Sequence, residues 1–223
     1  MERSFYGRDS ADLFGAVRKI FLNKVILTKF EEFDEYRELL KQRLSKKRYT
    51  HSMNVAQASY KLAELNGGDK RRCYLAGMLH DIMKEEDPEI QKRYCEESGL
   101  DPDPAELLSP QLWHGVAGGY YVREVLNITD KEIIGAIRFH TIARADMCLT
   151  EKIVYLGDMI SEDRSYKDVD KFRKICYDDL DKAMSVALIY QIQKVSSKCG
   201  YIPRYTLEAY NFYLKYNKDK ESL

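Results

Sequence analysis

The stretch YLAGMLHDIMKE, residues 74–85, decides how this chain is read. Leu75, Ala76, Met78 and Leu79 give it the apolar surface of a helix buried in a core, and the spacing predicts a helix over Lys70–Lys84. Into that apolar run the sequence inserts His80-Asp81. Adjacent helical residues project about 100° apart, so both side chains can reach one ion above a helix face. Taken alone the dipeptide is more often a surface pair or a cap. In a buried helix an unpartnered carboxylate is costly, and a metal ion is the simplest partner for it.

Asp158 makes the same argument from another place. It interrupts Ile153, Val154, Tyr155, Leu156 and Met159-Ile160, leaving a narrow solvent stripe. A buried acid needs a cation or several donors, here a metal or an arginine from another helix such as Arg138. The remaining histidines of the chain are His51, His114 and His140, four in all with His80. Singly, each has an ordinary reading: a helix-start cap for His51, stacking on Trp113 for His114, and the C-terminal end of a helix dipole for His140. Their order is the signal: His, His-Asp, His, His, Asp, one group per successive helix. Imidazole and carboxylate together suit iron, manganese or zinc rather than calcium.

Outward from these residues the chain reads as helices. Apolar residues recur at three- and four-residue spacing, and alternation is scarce. Helices are expected over Thr50–Leu65, stopped by Asn66-Gly67-Gly68, and over Glu89–Ser98. Asp101 to Pro104 is expected to be a loop. Ser109 reads as an N-cap with Pro110 at the first helical position, opening a helix to about Leu126. Further helices are expected over Lys131–Phe139, Glu151–Ile160, Val169–Lys194 and Thr206–Tyr216, with a weaker one near Leu13–Leu22. The expected organisation is an N-terminal extension, residues 1–30, followed by one all-α domain over 31–223.

Composition excludes several classes. Lys+Arg and Asp+Glu both number 36 in 223 residues, so no unopposed basic surface for nucleic acid is expected; the local cluster Lys46-Lys47-Arg48 sits beside the first histidine. Five widely spaced cysteines without a CxxC pair fit reduced thiols better than disulfides. The start MERSFYGRDS lacks the pattern of a secretory signal, and no apolar run approaches membrane-spanning length, so a soluble cytoplasmic protein is expected. Seventeen tyrosines and a zero net charge permit a homodimer.

Five segments carry a resemblance: KKRYTHSMNVA (46–56), YLAGMLHDIMKE (74–85), LLSPQLWHGVAG (107–118), AIRFHTIAR (136–144) and LTEKIVYLGDMI (149–160). DDLDKAM (178–184) and TLEAYNFYL (206–214) add to it. Over residues 34–214 the chain resembles the HD-domain superfamily of metal-dependent phosphohydrolases, within it the YqeK-like branch. The resemblance implies an all-helical HD-domain bundle with a dinuclear centre, commonly iron, with manganese or another divalent ion admissible. It implies symmetrical hydrolysis of diadenosine tetraphosphate, a dinucleoside polyphosphate, into two ADP. By position it implies His51, His80, Asp81, His114, His140 and Asp158 as metal ligands.

Two stretches depart from the usual spelling. Thr141-Ile142-Ala143-Arg144 replaces a Thr-Thr and Gly-rich turn, and Ser161-Glu162-Asp163-Arg164 replaces Glu-Pro-Gly-Arg. Beside the ligands, Lys84 lies one turn beyond His80, and Arg144 and Arg164 each follow a ligand closely. Lys84, Arg144, Arg164 and Thr141 are therefore expected to hold the polyphosphate, the arginines bidentately. Asp81 and Lys84 are the expected catalytic groups, Asp81 orienting the nucleophile. Two other readings stay open: another nucleotide or phosphoester as substrate, and a non-catalytic regulatory module that binds metal or nucleotide.

Overall fold

Capping residues set the frame. Ser45 accepts the Arg48 amide, and Gly67, at φ +68°, closes the other end of a helix over Lys46–Asn66. Asp69, Asp130 and Asp179 likewise accept amides at the heads of later helices. A computed structural model describes residues 30–217. Its regular elements are all helical: α1 (Asp34–Arg43), α2 (Lys46–Asn66), α3 (Lys70–Leu79), α4 (Pro88–Glu97), α5 (Pro104–Leu107), α6 (Trp113–Glu124), α7 (Lys131–Phe139), α8 (Leu149–Ile160), α9 (Val169–Asp178), α10 (Leu180–Ser196) and α11 (Arg204–Tyr213). No described helix is long and apolar enough to cross a membrane. The expected 1–30 extension and its Leu13–Leu22 helix lie outside the described residues, except for Phe30. That ring is buried and stacks on Tyr74 at 4.9 Å.

Most expected helices are present, with shifted ends. Three differences have a clear physical cause. The helix expected to run through Lys84 stops at Leu79, because the His80 side chain takes the Gly77 carbonyl that an Asp81 amide would have used. The chain then tightens into three-residue bonds, Ile82 N–H to Leu79 O and Lys84 N–H to Asp81 O. The expected Val169–Lys194 helix breaks at Asp179, whose extended backbone frees its carboxylate to cap α10. The loop expected over Asp101 to Pro104 runs straight into α5, opened by Pro104 and a capping box in which Asp103 and Glu106 satisfy each other's amides. At Ser109 the expected cap bond is missing, and Pro110–Leu112 forms a 3₁₀ turn ahead of α6. Helix α1 has no counterpart in the sequence reading.

Two apolar cores share a spine. One gathers Phe33, Leu40, Met53, Tyr74, Met78, Leu79, Val122 and Ile137; the other gathers Leu62, Ile153, Leu156, Phe172, Met184, Leu188 and Tyr213. Helices α2 and α8 contribute to both, and α2 packs along α3 and α8. The three meet at small residues. A Cβ on Gly77 of α3 or on Gly157 of α8 would stand 2.7 Å from the same atom, Ser59 Oγ of α2, and the Gly77 Cβ only 3.1 Å from Ala56 Cα. That close crossing matters for function: Asp158 follows Gly157, His80 lies three residues past Gly77, and His51 sits two turns before Ser59.

Candidate metal centre

Four histidines and two aspartates converge there. His51 projects from the second turn of α2, His80 and Asp81 from the turn ending α3, and His114 from the first turn of α6. His140 caps α7, and Asp158 stands near the end of α8. All four imidazoles and Asp81 are buried, and Asp158 is partly so.

Asp81 lies at the middle. Its Oδ2 is 3.3 Å from His80 Nε2 and 3.9 Å from His51 Nε2, while its Oδ1 is 3.4 Å from His114 Nε2 and 3.5 Å from His140 Nε2. Asp158 Oδ1 is 2.9 Å from His51 Nε2 and 4.0 Å from His80 Nε2. Nε2 of His114 and of His140 are 3.2 Å apart.

The other face of three rings is tied to acceptors. His80 Nδ1 is 2.8 Å from Gly77 O, His140 Nδ1 is 2.7 Å from Ile137 O, and His51 Nδ1 is 2.8 Å from Asp163 Oδ2. A carbonyl or carboxylate only accepts, so each Nδ1 carries the proton and, in the neutral ring, Nε2 presents a lone pair inward. Buried Nε2 atoms of His51 and His80 have no hydrogen-bond partner. Orphaned inward lone pairs beside carboxylates are what a metal ion would satisfy. Two groupings have ligand atoms close enough to share an ion: His51, His80 and Asp158; and His80, Asp81 and His140.

The electrostatics of the metal-free cluster follow from burial and charge. Burial opposes ionisation of Asp81, but His80, His140 and His114 hold its carboxyl well below the usual range. Asp158 is also held low against burial, by His51, His80 and Arg164. Burial would lower the His80 pKa, yet Asp81 and Asp158 raise it overall. His114 goes the other way: burial, with His140 and Lys84 beside it, depresses it despite Asp81. Burial also lowers Lys84, with Arg48 and Arg164 adding to the effect.

The remaining expected residues divide. Lys84 Nζ lies 3.3 Å from both ring nitrogens of His114. Arg164 pairs with the Asp158 carboxylate and donates from Nε to the Asp158 carbonyl at 2.9 Å. Thr141, next to His140, has a buried hydroxyl without a partner. Arg144 does not join the cluster. Its guanidinium is spent on buried Glu151, Nη2 to Oε2 at 2.8 Å and Nε to Oε1 at 3.2 Å, while lying over the Phe139 ring. The partner suggested for Asp158 is also corrected: Arg138 turns to Glu106, and Arg164 takes the place at Asp158.

The sequence reading missed three contacts. Arg48 donates to Asp81 Oδ2 at 2.7 Å, and its position one turn before His51 was the available signal. Asp163 holds His51 and also accepts from Asn54 Nδ2 at 3.1 Å. Asp163 lies past the end of α8, where helical periodicity says nothing.

With this geometry in place, comparison with known proteins is direct. Residues 48–172 match the HD domain, and the chain belongs to the HD-domain family. It is 34% identical over 174 residues to the symmetrical bis(5′-nucleosyl)-tetraphosphatase of Halalkalibacterium halodurans, covering 78% of this chain and 92% of that protein. It is 35% identical over 147 residues to the protein of the same name from Bacillus subtilis, covering 65% and 77%. Its fold is similar to the crystal structure of a predicted HD superfamily hydrolase involved in NAD metabolism from Clostridium acetobutylicum. The TM-score is 0.79 at 33% identity, over 82% of this chain and 97% of that one.

Proposed function

We propose that this protein is a metal-dependent hydrolase that cleaves diadenosine tetraphosphate symmetrically into two ADP. The observation that carries the metal half of this reading is the inward set of imidazoles with Asp81 at their centre, its two oxygens facing different histidines. The relatives named for this reaction supply the substrate half.

His51, His80 and Asp158 would hold one ion, and His114 and His140 a second, with Asp81 placed between them. The donor set suits iron, with manganese admissible. Bound there, paired divalent ions supply an acidified water and Lewis-acid stabilisation of charge on the phosphoryl oxygens. The protein's own groups do the rest. The Asp81 carboxylate orients the attacking water toward the second phosphorus from one nucleoside. The water oxygen forms the new P–O bond, and the central bridging oxygen leaves with the other ADP. Lys84 and Arg164 face the growing negative charge as cations, and the unpartnered Thr141 hydroxyl offers a donor to a phosphate oxygen. Arg48, paired with Asp81 in this structure, is a third cation at the same place.

Metal-loaded protein incubated anaerobically with diadenosine tetraphosphate, with products resolved by anion exchange, tests the reading. Two ADP per substrate is the expected result. AMP plus ATP would keep a phosphohydrolase and overturn symmetrical cleavage. No turnover with metal present would overturn the substrate.

A further inference from the structure

Three of the four histidines orient Nδ1 toward an acceptor, but they do not have the same acceptors available. His80 and His140 stand at the C-terminal ends of α3 and α7, where backbone carbonyls are left without helical partners, and each takes the carbonyl three residues back. His51 is the sixth of 21 residues in α2, where the surrounding carbonyls already accept helical amides. Its Nδ1 has to find an acceptor outside its own helix. That acceptor is Asp163 Oδ2, 112 residues away in sequence and 2.8 Å away in space.

The loop carrying Asp163 is built to stay put. Asn54, one turn after His51 on the same helix, donates to the other Asp163 oxygen at 3.1 Å, so both carboxylate oxygens are fixed against α2. Arg173 from α9 donates to the carbonyls of Ile160, Ser161 and Arg164 at 3.0–3.1 Å, holding the loop on either side of Asp163. The neighbouring Arg164 amide closes a turn onto Ser161 O at 3.0 Å. One short loop thus touches two members of the cluster, His51 through Asp163 and Asp158 through Arg164.

We propose that Asp163 is a positioning residue that fixes His51 as the Nδ1–H tautomer and aims its Nε2 lone pair into the metal centre. This rests on the reading of His51 as a ligand made above. A carboxylate behind a ligating imidazole both sets the tautomer and raises ligand basicity, and losing such a partner typically weakens metal binding about 10–100-fold. Asp163 does not itself face the centre, because it occupies the ring nitrogen opposite the one that does.

The test uses the whole chain and Zn²⁺ alone. Affinity is measured by chelator competition for wild type, Asp163→Ala, Asp163→Asn and His51→Ala. In parallel, long-range ¹H–¹⁵N spectra of the zinc-loaded proteins report the His51 Nδ1–H resonance. Asp163→Ala is expected to bind Zn²⁺ about 10–100-fold more weakly and to lose a protected Nδ1–H. Asp163→Asn keeps a neutral acceptor and is expected to fall between Ala and wild type. A merely structural ion pair would not move the tautomer signal. Zn²⁺ affinity lost in His51→Ala but unchanged in Asp163→Ala would overturn this inference and leave the metal centre standing. An unchanged Nδ1–H resonance in Asp163→Ala would likewise overturn it. Failure of wild type to bind Zn²⁺ would overturn the metal centre and this inference together.

Discussion

Two sets of charged side chains are buried in this protein, and they are completed in opposite ways. Arg138 and Glu106 form one. The guanidinium meets the carboxylate bidentately at 2.7 Å on both arms, and Arg138 Nε reaches Leu100 O at 3.4 Å. Glu106 also accepts the Asp103 amide at 2.9 Å. Neither side chain leaves a buried polar atom without a partner. The second set, around Asp81, is also buried, yet His51 Nε2 and His80 Nε2 make no hydrogen bond, standing 2.9 Å from Asp158 and 3.3 Å from Asp81 respectively. A charge pair that closes on itself is structural; a cluster that closes only with an added cation is a binding site. Burial alone does not separate the two, and the count of unsatisfied atoms does.

The sharpest way to break this contrast is Asp81→Ala. Metal content and hydrolysis should disappear together, while the metal-free protein suffers only a secondary loss of stability in urea, from the missing Asp81 partner of the histidines and Arg48. Metal measured by elemental analysis and retained with full activity would remove Asp81 from the centre. Arg138→Met should do the reverse. Leaving Glu106 buried without its partner should cost about 3–5 kcal/mol in urea unfolding, with metal bound per folded molecule unchanged. Adding Glu106→Leu should recover part of that loss, because the unpaired buried charge is removed while the Asp103 amide loses its acceptor.

Acid should sharpen the comparison further. Asp81 and Asp158 both titrate below their ordinary range when folded. Groups of this kind stabilise fully above the unfolded-state carboxylate pKa, near 3.9, and lose that contribution as pH falls through the lower folded value. The urea midpoint of metal-free protein should therefore drop as pH falls below about 4, and Asp81→Asn should flatten the drop. A midpoint that is level in wild type down to about pH 3 would mean the carboxylates are not held low. The smallest effect concerns Arg144. Its half-exposed pairing with buried Glu151 should make Arg144→Ala cost about 1 kcal/mol, with KM for the substrate unmoved. A raised KM with unchanged stability would return Arg144 to the polyphosphate.

Local pattern carried a good part of this, and its failures are instructive. Three- and four-residue spacing was enough to mark α2, α6, α7 and α8, because burying one face of a helix leaves its mark on the chain itself. Helix ends were less legible. The stop at Leu79 depends on a side chain competing for Gly77 O, and the break at Asp179 on a carboxylate choosing to cap the following helix. In the second case the signal, an aspartate two residues before an acidic first turn, was present and was outweighed by the apolar period on either side. Polar partners were the least legible. Arg138 was offered to Asp158 as an arginine on another helix, yet it pairs with Glu106, on a four-residue helix just past the expected loop.

By itself, the sequence determined the all-helical class, because helical burial is written in residue type and order; the six proposed ligands it offered through the resemblance to the HD-domain family. Only the tertiary structure decided which nitrogen of each histidine faces inward, that Asp81 stands between the others, that Arg144 is spent on Glu151, and that Asp163 stands behind His51. These are matters of direction between segments as much as 112 residues apart. Periodicity places a side chain on a helix face, whereas hydrogen-bond direction is settled only when the faces meet.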